Sequence, residues 1–118
     1  MKFVEAIRIL GALEHNEVEY VLIGSMAMAA QGIVRATRHL DVFVSPDEEN
    51  VRRLKAALRE VFDDPSIEDI LASDLAGDYP AIQYVPPSAD YSIDILARLG
   101  EMFRYPDVER RIALMPKF

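Results

Sequence analysis

Cysteine is absent from this chain, which excludes disulfides, thiolate catalysis and any Cys-ligated zinc site. Long apolar runs are absent as well: none approaches the roughly 18–20 residues needed to cross a bilayer, so no membrane partner is expected. Positive charge is scarce, with 13 Lys and Arg against 20 Asp and Glu, a net charge of −7 and a pI near 4.7. That balance argues against a broad nucleic-acid footprint, because such binding draws its energy from Lys and Arg neutralising phosphates. A nucleotide would need a local patch or a cation. The N-terminus, Met1-Lys2-Phe3-Val4-Glu5, sets an acid inside what would have to be the apolar part of a signal peptide, so the expected location is cytoplasmic. There is no internal repeat and no low-complexity stretch. What remains is a chain of 118 residues, 51% apolar and 28% charged, the size and composition of one globular domain spanning 1–118.

The hydrophobic pattern gives an alternation of helices and strands. Phe3, Val4, Ile7, Leu10, Gly11 and Leu13 fall near helical spacing, and His15-Asn16 ends that helix, with His15 read as a residue of its C-terminal cap. Glu17 to Ile23 reads as a strand entering the middle of a sheet, stopped by Gly24. Ser25 suits the N-cap of a short helix from Met26 to Gln31, and Gly32 its end. A basic loop with Arg35, Thr37 and Arg38 leads to a second strand, Leu40 to Val44. Ser45, Pro46 and Glu48 read as a capping box opening a helix whose apolar stripe is Val51, Leu54, Ala57, Leu58, Val61 and Phe62. Asp63-Asp64-Pro65 breaks it, and Ser66 to Leu75 suits a short amphipathic helix through Ile67, Ile70, Leu71 and Leu75. Ala81 to Val85 and Tyr91 to Leu96 read as a hairpin, followed by a short segment near 99–105 and a final strand over 110–115.

The chemistry sits on the strands. Side chains two apart point to one face of a sheet, so His39 and Asp41 project together while Leu40, Val42 and Val44 face the other way. Asp94 lies inside the apolar run Tyr91-Ser92-Ile93-Asp94-Ile95-Leu96, where an unpaired carboxylate is costly. If these strands are neighbours, Asp41 and Asp94 can converge on one cation, for which Mg²⁺ is the natural candidate. Gly24 and Ser25 add a turn whose backbone can approach phosphate, and Arg35, Thr37 and Arg38 supply further donors. Each piece also has a plainer reading. Gly24-Ser25 is a common helix start, Asp41 can pair with Arg35 or Arg38, Asp94 can be an edge-strand acid, and Tyr79, Tyr84 and Tyr91 suit packing better than base stacking.

Taken in order, the apolar strand, Gly24-Ser25, the small helix, Gly32, Arg35-Ala36-Thr37, the Asp41 strand, the long helix and the later Asp94 strand resemble the nucleotidyltransferase superfamily with the DNA polymerase β-like fold. The nearest likeness is to the small prokaryotic minimal nucleotidyltransferases and the AbiEii-type toxins of type IV toxin–antitoxin systems. The likeness spans about residues 18 to 96. It implies that Gly24 and Ser25 grip the triphosphate of a nucleoside triphosphate, with Arg35 and Thr37 assisting. It further implies that Asp41 is the second acid of a metal-binding pair and Asp94 a third acid that helps activate an acceptor hydroxyl. The reaction implied is attack of that hydroxyl on the α-phosphate with release of pyrophosphate, using Mg²⁺ or, alternatively, Mn²⁺. The acceptor, whether protein, RNA or small molecule, is left open.

His39 departs from the pattern, standing where the family has the first acid. A neutral imidazole offers one nitrogen and no negative charge to a hard cation, so either metal binding is weakened or His39 is itself a metal ligand that recruits a softer ion such as Mn²⁺. The resemblance thus leaves two functions open: a metal-dependent nucleotidyl transfer, or a catalytically degenerate nucleotide- or partner-binding module, either one fitting a toxin–antitoxin component. Family members also continue into helices that build the acceptor and base pocket. This sequence ends at Met115-Pro116-Lys117-Phe118, which implies a truncated chain or a partner protein that completes the pocket. The expected architecture is an α/β (α+β) domain, a mixed sheet of about four or five strands with helices packed on one face.

Overall fold

The computed structural model describes residues 1–23, 39–76, 81–99 and 103–104. Helix α1 spans Phe3–His15, strand β1 Tyr20–Ile23, strand β2 His39–Val44 and helix α2 Glu48–Val61. Two 3₁₀ turns follow, Pro65–Asp69 and Ala72–Leu75. Then come β3 (Ala81–Tyr84), β4 (Ser92–Leu96) and a two-residue ladder of β5 (Arg98–Leu99) with β6 (Phe103–Arg104). The class is α+β, with a mixed four-stranded sheet in the order β1-β2-β4-β3. β1 runs antiparallel to β2, β2 parallel to β4, and β4 antiparallel to β3. Among the described residues no helix is long and apolar enough to cross a membrane.

One hydrophobic core joins the two helices to one face of the sheet. Leu40, Val42 and Val44 of β2 and Ile93 and Ile95 of β4 meet Ile9, Leu10 and Leu13 of α1 and Val51, Leu54 and Leu58 of α2. The period of two on the strands and of three to four on the helices sends these side chains to the same layer. The opposite face of β2 and β4 is therefore left for His39, Asp41, Ser92 and Asp94, ending in Phe43, which is fully buried although it lies outside the main core.

Several boundaries differ from the sequence pattern for physical reasons. The buried face of α1 is Ala6, Ile9, Leu10, Ala12 and Leu13, while Phe3 and Val4 are more than half exposed. Small alanines let the helix lie close to the core, so its contact face is rotated away from Phe3, Val4 and Ile7. β1 starts at Tyr20 rather than Glu17, whose φ of 56° belongs to a turn. Asp47, not Ser45, caps α2: its carboxylate accepts the Asn50 N–H at 2.9 Å, and the Ser45 hydroxyl donates to that carboxylate at 2.6 Å. This choice carries Asn50 into the core edge, where its amide donates to the carbonyls of Ser45 (2.8 Å) and Glu19 (3.0 Å) and accepts the Glu19 N–H (2.7 Å). The stretch 66–75 forms 3₁₀ turns instead of an α-helix, burying Ile67, Ile70 and Leu75 but leaving Leu71 in water. Asn16 closes α1 by donating to the Ala12 carbonyl at 2.8 Å, while His15 turns to Glu60 with 2.6 Å between Nδ1 and Oε1. The hairpin of β3 and β4 forms as the pattern requires, and Tyr84 packs edge-on against Phe62 with ring centroids 5.7 Å apart. The helix expected over Met26–Gln31 and the strand expected over 110–115 lie outside the described residues.

Candidate active site

The parallel pairing of β2 with β4 sets Asp41 directly beside Asp94 and His39 beside Ser92. Neighbouring strands stand about 4.8 Å apart and paired residues share a face, so the two carboxyls are close neighbours. Each strand carries its polar residues at alternate positions, which is why the sheet collects them on one face while the intervening valines and isoleucines go to the core.

The electrostatics follow from that crowding. Burial pushes the proton affinity of Asp41 up, the charge of Asp94 pushes it further, and a hydrogen bond shared with the Asp94 side chain adds to the rise; His39 opposes it. Two acids that disfavour each other's charge are poised to share a proton or a cation. Around them runs a hydrogen-bonded group. The Ser92 hydroxyl donates to Asp94 Oδ1 at 2.9 Å, His39 Nδ1 lies 3.0 Å from Ser92 Oγ and 3.5 Å from Asp94 Oδ2, and the Gln83 amide reaches Ser92 Oγ at 3.5 Å. Ser92 is only 5% exposed, whereas the His39 ring is half in water.

Among the described residues no group of three or more His, Asp or Glu side chains is arranged to hold a metal ion. The donors at hand are two carboxylates. They fit a cation such as Mg²⁺, which takes one or two carboxylates and fills its shell with water and phosphate oxygens, and they do not fit a closed protein cage. Gly24, Ser25, Arg35 and Thr37, the residues expected to hold the triphosphate, lie outside the described residues.

No known protein family, characterised protein or solved structure matches this chain. The case for a site therefore rests on its own geometry. Two residues of that geometry, Ser92 and Gln83, carry no signal in the sequence. Ser92 sits two positions before Asp94 on the same strand face, but its importance depends on standing opposite His39, a pairing between residues far apart in the chain. Beside His39 and Ser92 opens a shallow recess of about 240 Å³, walled by Val85, Ala89 and Tyr91 with Asp90 at its rim. A larger groove of about 390 Å³ runs along α2, but its cations are engaged: Arg59 and Lys55 with Glu68, and Arg52 with Glu49.

Proposed function

We propose that this chain is a domain of nucleotidyltransferase type that moves a nucleoside monophosphate from a nucleoside triphosphate to an acceptor hydroxyl. The observation that carries the reading is the side-by-side placement of Asp41 and Asp94 on parallel central strands, with the proton affinity of Asp41 raised. Asp41 and Asp94 would hold the divalent cation, Mg²⁺ or Mn²⁺, which when bound supplies neutralisation of the phosphate charge. The protein's own part is positioning: the rigid sheet fixes the acids, and the apolar layer beneath them keeps the site face in register. An acidic chain can act on an anionic substrate in this way, because the cation brings the phosphates. The polymerase β-like nucleotidyltransferase fold, a cytoplasmic setting, the triphosphate contacts of Gly24, Ser25, Arg35 and Thr37 and a place in a toxin–antitoxin pair belong to the same proposal.

A second reading, a nucleotide- or partner-binding module without turnover, is favoured by one observation. His39 lies on the same face, hydrogen-bonded to Ser92 and 3.5 Å from Asp94, and it brings no negative charge for a second cation. One experiment separates the two. ATP, GTP, CTP and UTP are titrated with Mg²⁺ or Mn²⁺ into the parent protein and into His39→Asp, and heat and pyrophosphate release are followed. Turnover in the parent supports transfer. Binding in both proteins with turnover only in His39→Asp supports the binding module, and no nucleotide binding in either overturns the transfer reading and the nucleotide-binding form of the second.

A further inference from the structure

We propose that the groove between α2 and the two 3₁₀ turns is a docking site for an acidic amphipathic helix of a partner protein, one that carries carboxylates along an edge and a leucine-like side chain beside them. The groove shares no residue with the acids of the sheet, and the inference does not rest on the nucleotidyl-transfer reading.

Positive charge is scarce in this chain, yet Arg52, Lys55 and Arg59 all line the one groove. Steps of three and then four residues set them on a single stripe of α2, spread over about two turns or roughly 10 Å. Among the described lining residues the only acids are Glu48 and Glu68, so the groove has a positive excess within a chain of net charge −7.

Glu68 shows which group this groove accepts. Its carboxylate pairs with Arg59 and lies 3.8 Å from Lys55 Nζ, so one anion is set against two cations. Lys55 also donates to the Glu68 carbonyl at 3.1 Å, which holds its ammonium in place, and its side chain is only 17% exposed. The Glu68 side chain is 62% exposed. Exposed pairs of this kind contribute little to folding, so an incoming carboxylate can displace Glu68 at small cost.

The groove has an apolar side as well. Val51 and Ile70 line it as buried residues, and Leu71 lines it with 54% of its surface in water, although Ile67, Ile70 and Leu75 of the same turns are all buried. A ligand thus meets two demands together, apolar contact and negative charge. A nucleic-acid strand answers only the second, and its many phosphates are repelled by the rest of an acidic chain. A second copy of this chain docked through the same face would set the three cations against their own counterparts, which is repulsive. An acidic amphipathic helix answers both demands, in the manner of a helix laid in a groove. The volume of about 390 Å³ seats a few of its side chains.

The test uses the whole protein and a labelled synthetic helical peptide with glutamates at i, i+3 and i+7 and leucine at i+4, its binding followed by fluorescence anisotropy at low and high salt. Binding should weaken as salt rises. It should fall about tenfold in Arg59→Gln and in Leu71→Ser, and rise on the order of tenfold in Glu68→Gln, where the internal competitor has lost its charge. All three positions are exposed, so these variants should keep the parent's fold, which circular dichroism checks. A peptide with glutamines for the glutamates, or serine for the leucine, should bind about tenfold more weakly or worse. No binding by the parent, equal binding of the glutamine peptide, or parent-like affinity in both Arg59→Gln and Leu71→Ser overturns the proposal. Weaker binding in Glu68→Gln overturns the displacement of that carboxylate. A single-stranded oligonucleotide that binds the parent more tightly than the peptide does, is lost in Arg59→Gln and is indifferent to Leu71→Ser identifies a phosphate site instead, and overturns the assignment of an acidic helix.

Discussion

Asp41 and Asp94 stand opposite one another on parallel strands, and the charge of the second raises the proton affinity of the first. Because the rise has burial as its largest cause, the native protein holds the Asp41 proton more tightly than the unfolded chain does. The linkage then has a definite sign. No penalty exists below the ordinary aspartate pKa of about 3.9; stability falls as pH rises from there through the raised native value, and the penalty stays constant above it. Asp41→Asn should therefore melt higher than the parent at neutral pH, and the gap should close in acid, as thermal unfolding across pH will check.

The same pair predicts a response to cations. A ligand that binds only the native state stabilises it by mass action, about 2.7 kcal/mol at a hundredfold excess over Kd. Mg²⁺ or Mn²⁺ should raise the melting temperature of the parent at neutral pH and should leave Asp41→Asn and Asp94→Asn nearly unmoved. An equal rise in all three proteins would remove the acids from any cation site.

Asp47 gives the opposite pH sign. Hydrogen bonds from the Ser45 hydroxyl and from the Asn50 N–H hold its carboxyl below the usual aspartate range. Its stabilisation is present above the ordinary pKa and is lost as pH falls through the lowered native value. Asp47→Ala should cost about 1 kcal/mol at neutral pH, as for a lost N-cap, and nearly nothing in strong acid. Urea unfolding at two pH values measures both.

Asn50 is 2% exposed and satisfies three backbone groups of Glu19 and Ser45. Asn50→Ala leaves those groups without their partner at the core edge, and should cost about 2–4 kcal/mol by denaturant unfolding. His15 provides the contrast. Its pair with Glu60 is short but lies in water, with the His15 side chain 75% exposed. His15→Ala should therefore change stability by less than about 1 kcal/mol.

How much of this was legible depended on distance along the chain. β2 and β4 could be read because a period of two marks a half-buried strand, and the acid within each stood out against its apolar neighbours. The α1 face misled because Phe3 and Val4 are the larger apolar groups, while the core accepts Ala6 and Ala12, which allow closer approach. The start of α2 was ambiguous among local signals, with Ser45 and Asp47 both able to cap. The contact of Asn50 with Glu19, 31 residues away, accompanies the Asp47 choice. Ser92 was silent for the same reason: a small polar residue acquires a role only when the strand opposite is known. The turn at Gly24 and Ser25, expected to hold a triphosphate, and the arginine loop were read from local motif alone, and they lie outside the described residues.

The parallel partnership of β2 and β4 has a consequence for how this protein comes into being. Hairpins close early because their strands are near neighbours in the chain, but His39 and Ser92 are 53 positions apart, and no single hairpin contains both. The loop that joins them must close, with α2 laid across it, before either acid meets its counterpart. The Asp41–Asp94 pair thus depends on a contact of high sequence separation, and it is absent from any state in which β2 and β4 are apart.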